Sequence, residues 1–169
     1  MNNYNSKNIN GGRKAKSLAK YSYEKFILLA QNSFKIMKYS RTADNCRLAI
    51  DLATQQGSTE GVIKAYQLWM KALLKANKFG ELKKVCCEAR SKYGNGLDLL
   101  YYEFKAAQGN GDNIIAAKLA QGFVEMYGTI DDSQPYMFIS TIEKISEVSE
   151  VIRNANGNGK KSAVDKLTE

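Results

Sequence analysis

Histidine is absent from this chain of 169 residues. Catalytic triads, proton relays and metal sites that need an imidazole are therefore excluded. Proline occurs once and glycine thirteen times, which excludes collagen-like and proline-rich material. The three cysteines, Cys46, Cys86 and Cys87, cannot form a paired disulfide framework. We therefore expect a reducing, cytoplasmic environment.

Long apolar runs are also missing. No segment approaches the roughly 18 consecutive apolar residues that a membrane span requires. The first twelve residues are rich in Asn and Gly, and no small-residue cleavage site follows an apolar core. The sequence thus predicts an intracellular protein without a membrane partner. Its hydrophobic fraction of 44% and charged fraction of 25% are ordinary for a globular domain.

Apolar residues recur every three or four positions along most of the chain, and no stretch alternates with period two for long. This pattern predicts an all-α fold of about seven helices in antiparallel pairs. The predicted helices cover residues 18–39, 41–56, 60–76, 79–93, 97–108, 114–126 and 135–153. Gly57 is expected to close the second helix, and Ser58 or Thr59 to cap the third. We predict a disordered basic arm at 1–17, a single helical domain at 18–153 and a flexible polar tail at 154–169.

A weak internal repeat is visible at a spacing of 34 residues, at which Tyr93-Gly94 recurs as Tyr127-Gly128. Such a period is typical of stacked helix pairs, because each pair has an apolar stripe that only its neighbours can bury. Large residues are expected to fill the space between helices, and Trp69→Ala should cost about 3–5 kcal/mol if Trp69 is buried. Close helix approach is predicted at four small residues: Ala116, Ala117, Ala120 and Gly122.

Residues 63–128 resemble tetratricopeptide repeats. The residues that carry the resemblance stand at the family's aromatic, large and small positions: Tyr66, Trp69, Leu73, Phe79, Leu82 and Ala89. Met70, Leu82 and Gly94 depart from the family pattern, and the repeat spacing places Glu103 where Trp69 stands in the first unit. The resemblance implies a right-handed helical array that binds other proteins. An irregular helical bundle with helices of similar length is the alternative.

Candidate catalytic and metal-binding motifs are incomplete. Residues 109–113 (Gly-Asn-Gly-Asp-Asn) lack the Lys-Ser/Thr of a phosphate loop and the register of a calcium loop, so we interpret them as a turn between helices. Cys86 is expected in the core and Cys87 at a helix flank. Asp131-Asp132 and the acidic series at 143, 147 and 150 are interpreted as solvated. No catalytic residue, metal, cofactor or small-molecule substrate is expected.

Positive charge is concentrated in two places, although the net charge is only +8. Residues 1–25 hold six basic side chains and one acidic, whereas residues 106–150 hold two basic and seven acidic. On a helical projection of residues 60–76, the apolar side chains fall on one face. A lysine stripe with no acidic residue among its members lies opposite: Lys64, Lys71, Lys75 and Lys78.

Two functions fit this charge layout. The first is a non-catalytic adaptor or assembly module that binds a protein partner, or a second copy of itself, through the helical array. The second is a nucleic-acid-binding accessory protein, in which DNA or RNA phosphates contact the lysine stripe and the basic arm at Arg13, Lys14, Lys16 and Lys20. The arm and the stripe could also serve solubility alone. The ten tyrosines fit a core with an interface, or base stacking.

Overall fold

The computed structural model describes residues 22–129 and 148–150, and the regular structure in these segments is entirely helical. The prediction of an all-α fold is confirmed. The helices, in chain order, are α1 (Tyr23–Lys35), α2 (Tyr39–Gln55), α3 (Thr59–Lys75), α4 (Phe79–Tyr93), α5 (Leu97–Gly109) and α6 (Asn113–Tyr127). Residues 148–150 are also helical. In the described part of the chain, no helix has the length and apolar character to cross a membrane.

Helix bounds from the sequence agree closely for α2 to α6, but the first prediction is wrong at its end. The first helix does not continue to Tyr39, because it stops at Lys35 and the backbone turns at Met37, which has φ 58°. Tyr39 begins α2, and its ring packs edge-on against Phe34 at 5.6 Å. The basic arm, the polar tail and most of the predicted helix at 135–153 lie outside the described residues, as do the predicted domain boundaries.

Four of the five connections between these helices share one turn, in which a single residue adopts a left-handed conformation. The four residues and their φ angles are Met37 (58°), Gly57 (68°), Asn77 (55°) and Gly111 (75°). At the third turn, the N–H of Asn77 donates to the Leu74 carbonyl at 3.1 Å, and the N–H of Lys78 donates to the Leu73 carbonyl at 2.9 Å. These bonds satisfy carbonyls that the helix end would otherwise leave open.

The turns show where the 34-residue spacing is structural. Asn77 and Gly111, which are 34 residues apart, occupy equivalent positions in the α3–α4 and α5–α6 turns. Gly94 and Gly128 have the same spacing but φ angles of 81° and −69°, so the recurring Tyr-Gly pair does not mark equivalent backbone. Earlier turns follow at 20 residues, from Met37 to Gly57 to Asn77. The described helices are thus compatible with a helical repeat whose period varies.

The chain divides into two compact units within α3, one ending at Leu68 and the other beginning at Trp69. In the first unit, α1 packs against α2. The Ser58 hydroxyl caps α3 by accepting from the N–H of Gly61 at 3.1 Å, as predicted. A β-carbon at Gly61 would lie 2.5 Å from Cε2 of Tyr23, so glycine is needed there for the close approach of the ring.

In the second unit, α4 packs against α5, and α5 against α6. Its core contains Trp69, Leu82, Phe104 and Phe123, each at most 6% exposed. The ring of Phe79, the first residue of α4, lies where a β-carbon of Gly109 would stand. This contact holds the beginning of α4 against the end of α5.

Small residues of α6 follow the prediction only in part. Ala116 and Ala120 are buried, which fits the expected close approach, and Ala117 is half-buried. Gly122 was expected to allow a neighbouring helix close, but a β-carbon there would meet nothing within 4 Å. That part of the prediction is wrong, because the glycine faces open space.

Candidate functional site

The four lysines of the predicted stripe are all exposed, but acidic residues accompany two of them. Lys64 forms an ion pair with Glu60 one turn earlier, and this hydrogen bond raises the pKa of the Lys64 ammonium. Lys78 pairs with Glu81 at 3.1 Å and stands at the N-cap of α4, not within α3. The expectation of a stripe without acidic neighbours is therefore wrong. Lys71 and Lys75 keep exposed positions in the last turns of α3.

The other predicted binding residues, Arg13, Lys14, Lys16 and Lys20, lie outside the described residues. So does Tyr21, one of the tyrosines considered for base stacking. Tyr101 and Tyr102 are core residues, each 6% exposed, with ring centroids 5.4 Å apart in an edge-on arrangement. Burial raises the pKa of the Tyr102 hydroxyl, with a smaller effect from Asp98. These two rings serve the core interpretation, since their faces are not open to a base.

A groove of about 280 Å³ lies in the second unit, lined by side chains of α4, α5 and α6 and of the turn before α6. Alanines at 106 and 107 leave room for it, and larger aliphatic side chains of α6 form one wall. The lining residues are Lys83, Cys87, Arg90, Glu103, Ala106, Ala107, Asn110, Asp112, Ile115 and Leu119. No sequence motif had indicated this groove.

The two ends of the groove can be assigned from the packing of Phe79 on Gly109. Because this contact places the beginning of α4 beside the end of α5, Lys83 and Asn110 belong to one end. Arg90 and Glu103 belong to the other end, where they form an ion pair. Cys87 lies between Lys83 and Arg90 on the same face of α4, because the three residues are spaced by four and three.

The ion pair between Arg90 and Glu103 joins α4 to α5. Arg90 donates from Nη1 to Oε1 of Glu103 at 2.7 Å and from Nη2 to Oε2 at 2.5 Å. The Glu103 side chain is 9% exposed and that of Arg90 33%. This hydrogen bonding raises the pKa of the Arg90 guanidinium. A buried carboxylate needs such a partner, because an unpaired charge is costly to bury.

The cysteines occupy two kinds of environment. Cys46 and Cys86 are fully buried, and burial raises the pKa of the Cys46 thiol to about 12 and that of Cys86 further. Cys86 donates its S–H towards Sδ of Met70 at 3.5 Å, within the core. Cys87 is exposed and lines the groove. The predictions for Cys86 and Cys87 are confirmed.

Two further interpretations can be placed. The segment at 109–113 forms the α5–α6 turn as predicted, and the Asp112 carboxylate caps α6 by accepting from the N–H of Ile115 at 3.1 Å. Asp131-Asp132, Glu143 and Glu147 lie outside the described residues, and Glu150 is exposed. Within the described segments, no three Cys, Asp or Glu side chains are grouped as metal ligands.

Sequence reasoning missed the groove because its residues come from three helices. One signal was present: the repeat spacing put Glu103 on the position of Trp69, a mismatch that marks the buried ion pair. No protein-family model, curated protein or solved structure matches this chain. Function is therefore inferred from the chemistry of the groove and of the exposed lysines.

Proposed function

We propose that this protein is a non-catalytic interaction module, an adaptor or assembly factor that holds a partner protein in the groove of its second unit. Three consecutive packed helices supply the lining, and the wall residue Ile115 is 43% exposed. An aliphatic side chain kept this exposed beside a concave surface gains free energy when a partner covers it. The groove is the observation that supports this proposal.

A groove-filling substitution tests the proposal without touching the core. Cys87→Phe places a ring in the groove from an exposed position, and Lys84→Phe adds the same ring to α4 at an exposed position outside the lining. Affinity capture from the native source, with mass spectrometry, would compare both variants with the unmodified protein. We expect specific partners to be lost with Cys87→Phe and kept with Lys84→Phe. Equal capture by both variants would contradict the groove model.

Nucleic-acid binding is the second candidate, and the exposed cations Lys71 and Lys75 together with the net charge of +8 favour it. Lys71→Glu/Lys75→Glu should lower affinity for labelled DNA or RNA by about 1–3 kcal/mol if both lysines contact phosphate. Fluorescence anisotropy across a salt series measures this, and a chain lacking residues 1–17 separates the contribution of the arm. Nuclease treatment during the capture experiment distinguishes partners bridged by nucleic acid from partners bound directly.

A further inference from the structure

The groove is short. It extends from Lys83 to Arg90 on α4, seven residues or about 10 Å along the helix axis. That length matches about two turns of a helix or about three residues of an extended chain. Its volume of about 280 Å³ is at the lower limit of the roughly 300–1,000 Å³ typical of small-molecule sites. One or two side chains of a partner segment fit these dimensions.

The middle of the groove is apolar. Ala106 and Ala107 belong to α5, while Ile115 and Leu119 belong to α6, and all four line the groove between its polar ends. Burying an aliphatic side chain against such a surface is favourable by about 25 cal/mol for each Å² removed from water. A strongly charged polymer such as nucleic acid has no comparable group to place there.

Three of the four charged side chains in the groove already have partners. Arg90 and Glu103 are paired with each other. The Asp112 carboxylate accepts from the N–H of Ile115 at the positive end of the α6 dipole. Among these lining residues, all of which the structure describes, Lys83 makes no ion pair and no hydrogen bond. The groove therefore offers one uncommitted positive charge beside Asn110.

We infer that the groove binds a short acidic and aliphatic segment of a partner protein. One or two leucine-like side chains contact Ala106, Ala107, Ile115 and Leu119, and a neighbouring carboxylate pairs with Lys83. This inference rests on the proposed interaction function and specifies the chemistry of the partner. It follows from the apolar middle of the groove combined with a single available cation at one end.

Cys87 permits a direct test, because it is the exposed cysteine and lies inside the groove. Four short peptides would be supplied as mixed disulfides with 2-mercaptoethanol: Leu-Leu-Glu, Leu-Leu-Lys, Ser-Ser-Glu and Ser-Ser-Lys, each carrying one linker thiol. The Cys87 thiolate attacks the disulfide and releases 2-mercaptoethanol, so equilibrium occupancy reports noncovalent preference. Intact-mass measurement gives the occupancy in a full chain whose fold is checked by circular dichroism.

We expect Leu-Leu-Glu to occupy Cys87 about tenfold more than Ser-Ser-Glu, from aliphatic burial, and about two- to fivefold more than Leu-Leu-Lys, from the charge on Lys83. Lys83→Glu should reverse the preference between Leu-Leu-Glu and Leu-Leu-Lys. The control protein, Cys87→Ser/Lys84→Cys, carries its thiol outside the groove and should capture the four peptides almost equally. Equal occupancy at Cys87, or an unchanged preference in Lys83→Glu, would overturn the inference.

Failure of this inference can be separated from failure of the proposed function. Loss of native partners in Cys87→Phe together with equal occupancy by the four peptides would keep the interaction function and overturn the acidic and aliphatic chemistry. Light scattering after size-exclusion chromatography adds a third outcome. A dimer that Cys87→Phe converts to a monomer would identify a second copy of this chain as the occupant, and would overturn the assignment to another protein.

Discussion

Replacing Arg90 by leucine should destabilise the protein much more than replacing its partner Glu103. Glu103 is 9% exposed at its side chain, so Arg90→Leu leaves a buried carboxylate with no counter-ion. Breaking a fully buried pair costs about 3–5 kcal/mol, whereas exposed pairs contribute about 1 kcal/mol or less. Since one third of the Arg90 side chain reaches solvent, we expect a loss of about 2–4 kcal/mol.

The reverse substitution has a smaller effect for a structural reason. In Glu103→Leu, the guanidinium of Arg90 can turn towards water, because it is already 33% exposed. We expect a loss of about 1 kcal/mol. Replacing both residues by leucine removes both charges from the interface between α4 and α5. The double variant should therefore lose about 1 kcal/mol or less, well below the sum of the single substitutions.

Urea unfolding followed by circular dichroism measures these free energies, and a double-mutant cycle gives the coupling. In a chain of this length, a loss of 3 kcal/mol corresponds to a fall in Tm of about 6–12 °C. Lys92→Leu is the matched control, since Lys92 pairs with Glu88 on the same helix and both are about half exposed. Its cost should stay below about 1 kcal/mol. Equal losses for Arg90→Leu and Glu103→Leu that simply add in the double variant would refute this reasoning.

Three further predictions concern backbone conformation, helix approach and thiol reactivity. Met37 has φ 58° and is 74% exposed, so Met37→Gly should raise stability by about 1 kcal/mol in thermal unfolding, because glycine adopts this conformation without strain; a loss of stability would show that the Met37 side chain contributes packing. Gly109→Ala should destabilise the protein because its β-carbon would overlap the ring of Phe79, while Gly122→Ala should stabilise it by about 0.5–1 kcal/mol, since it meets open space inside a helix; equal shifts in Tm would contradict both assignments. In the folded protein at pH 8, a thiol reagent should modify Cys87 rapidly, and Cys46 and Cys86 only after denaturation, because burial blocks access to these two thiols and raises their pKa; rapid reaction of more than one thiol before unfolding would show that the core is open.

Helical periodicity located α2 to α6 to within about two residues, because each helix has an apolar stripe that the sequence displays directly. The same method failed at the end of α1. Met37 and Lys38 interrupt the helix, yet neither is a typical breaker, and the apolar residues Met37 and Tyr39 continue the spacing. The turn is set by its hydrogen bonds to the Phe34 and Ser33 carbonyls, and such bonds leave no clear trace in composition.

The charge pattern was readable, but the pairing of charges was only partly so. Lysines of the stripe were correctly expected to be exposed, because they lie opposite an apolar face. Glu60 and Glu81 were both visible at helical spacing from Lys64 and Lys78, and the pairs they form could have been predicted from that spacing. The pair between Arg90 and Glu103 could not, because thirteen residues and a change of helix separate its members.

The sequence by itself determined the helical class, most helix ends and the burial of Trp69, Cys86 and the alanines of α6, because these depend on local spacing and on the transfer of apolar side chains from water. Tertiary structure decided everything that depends on contact between helices. It placed Phe79 over Gly109, paired Arg90 with Glu103, left Gly122 in open space and brought Lys83, Cys87, Ala107 and Ile115 to one groove. Such contacts are fixed by the packing of whole helix faces, and no single stretch of sequence contains that information.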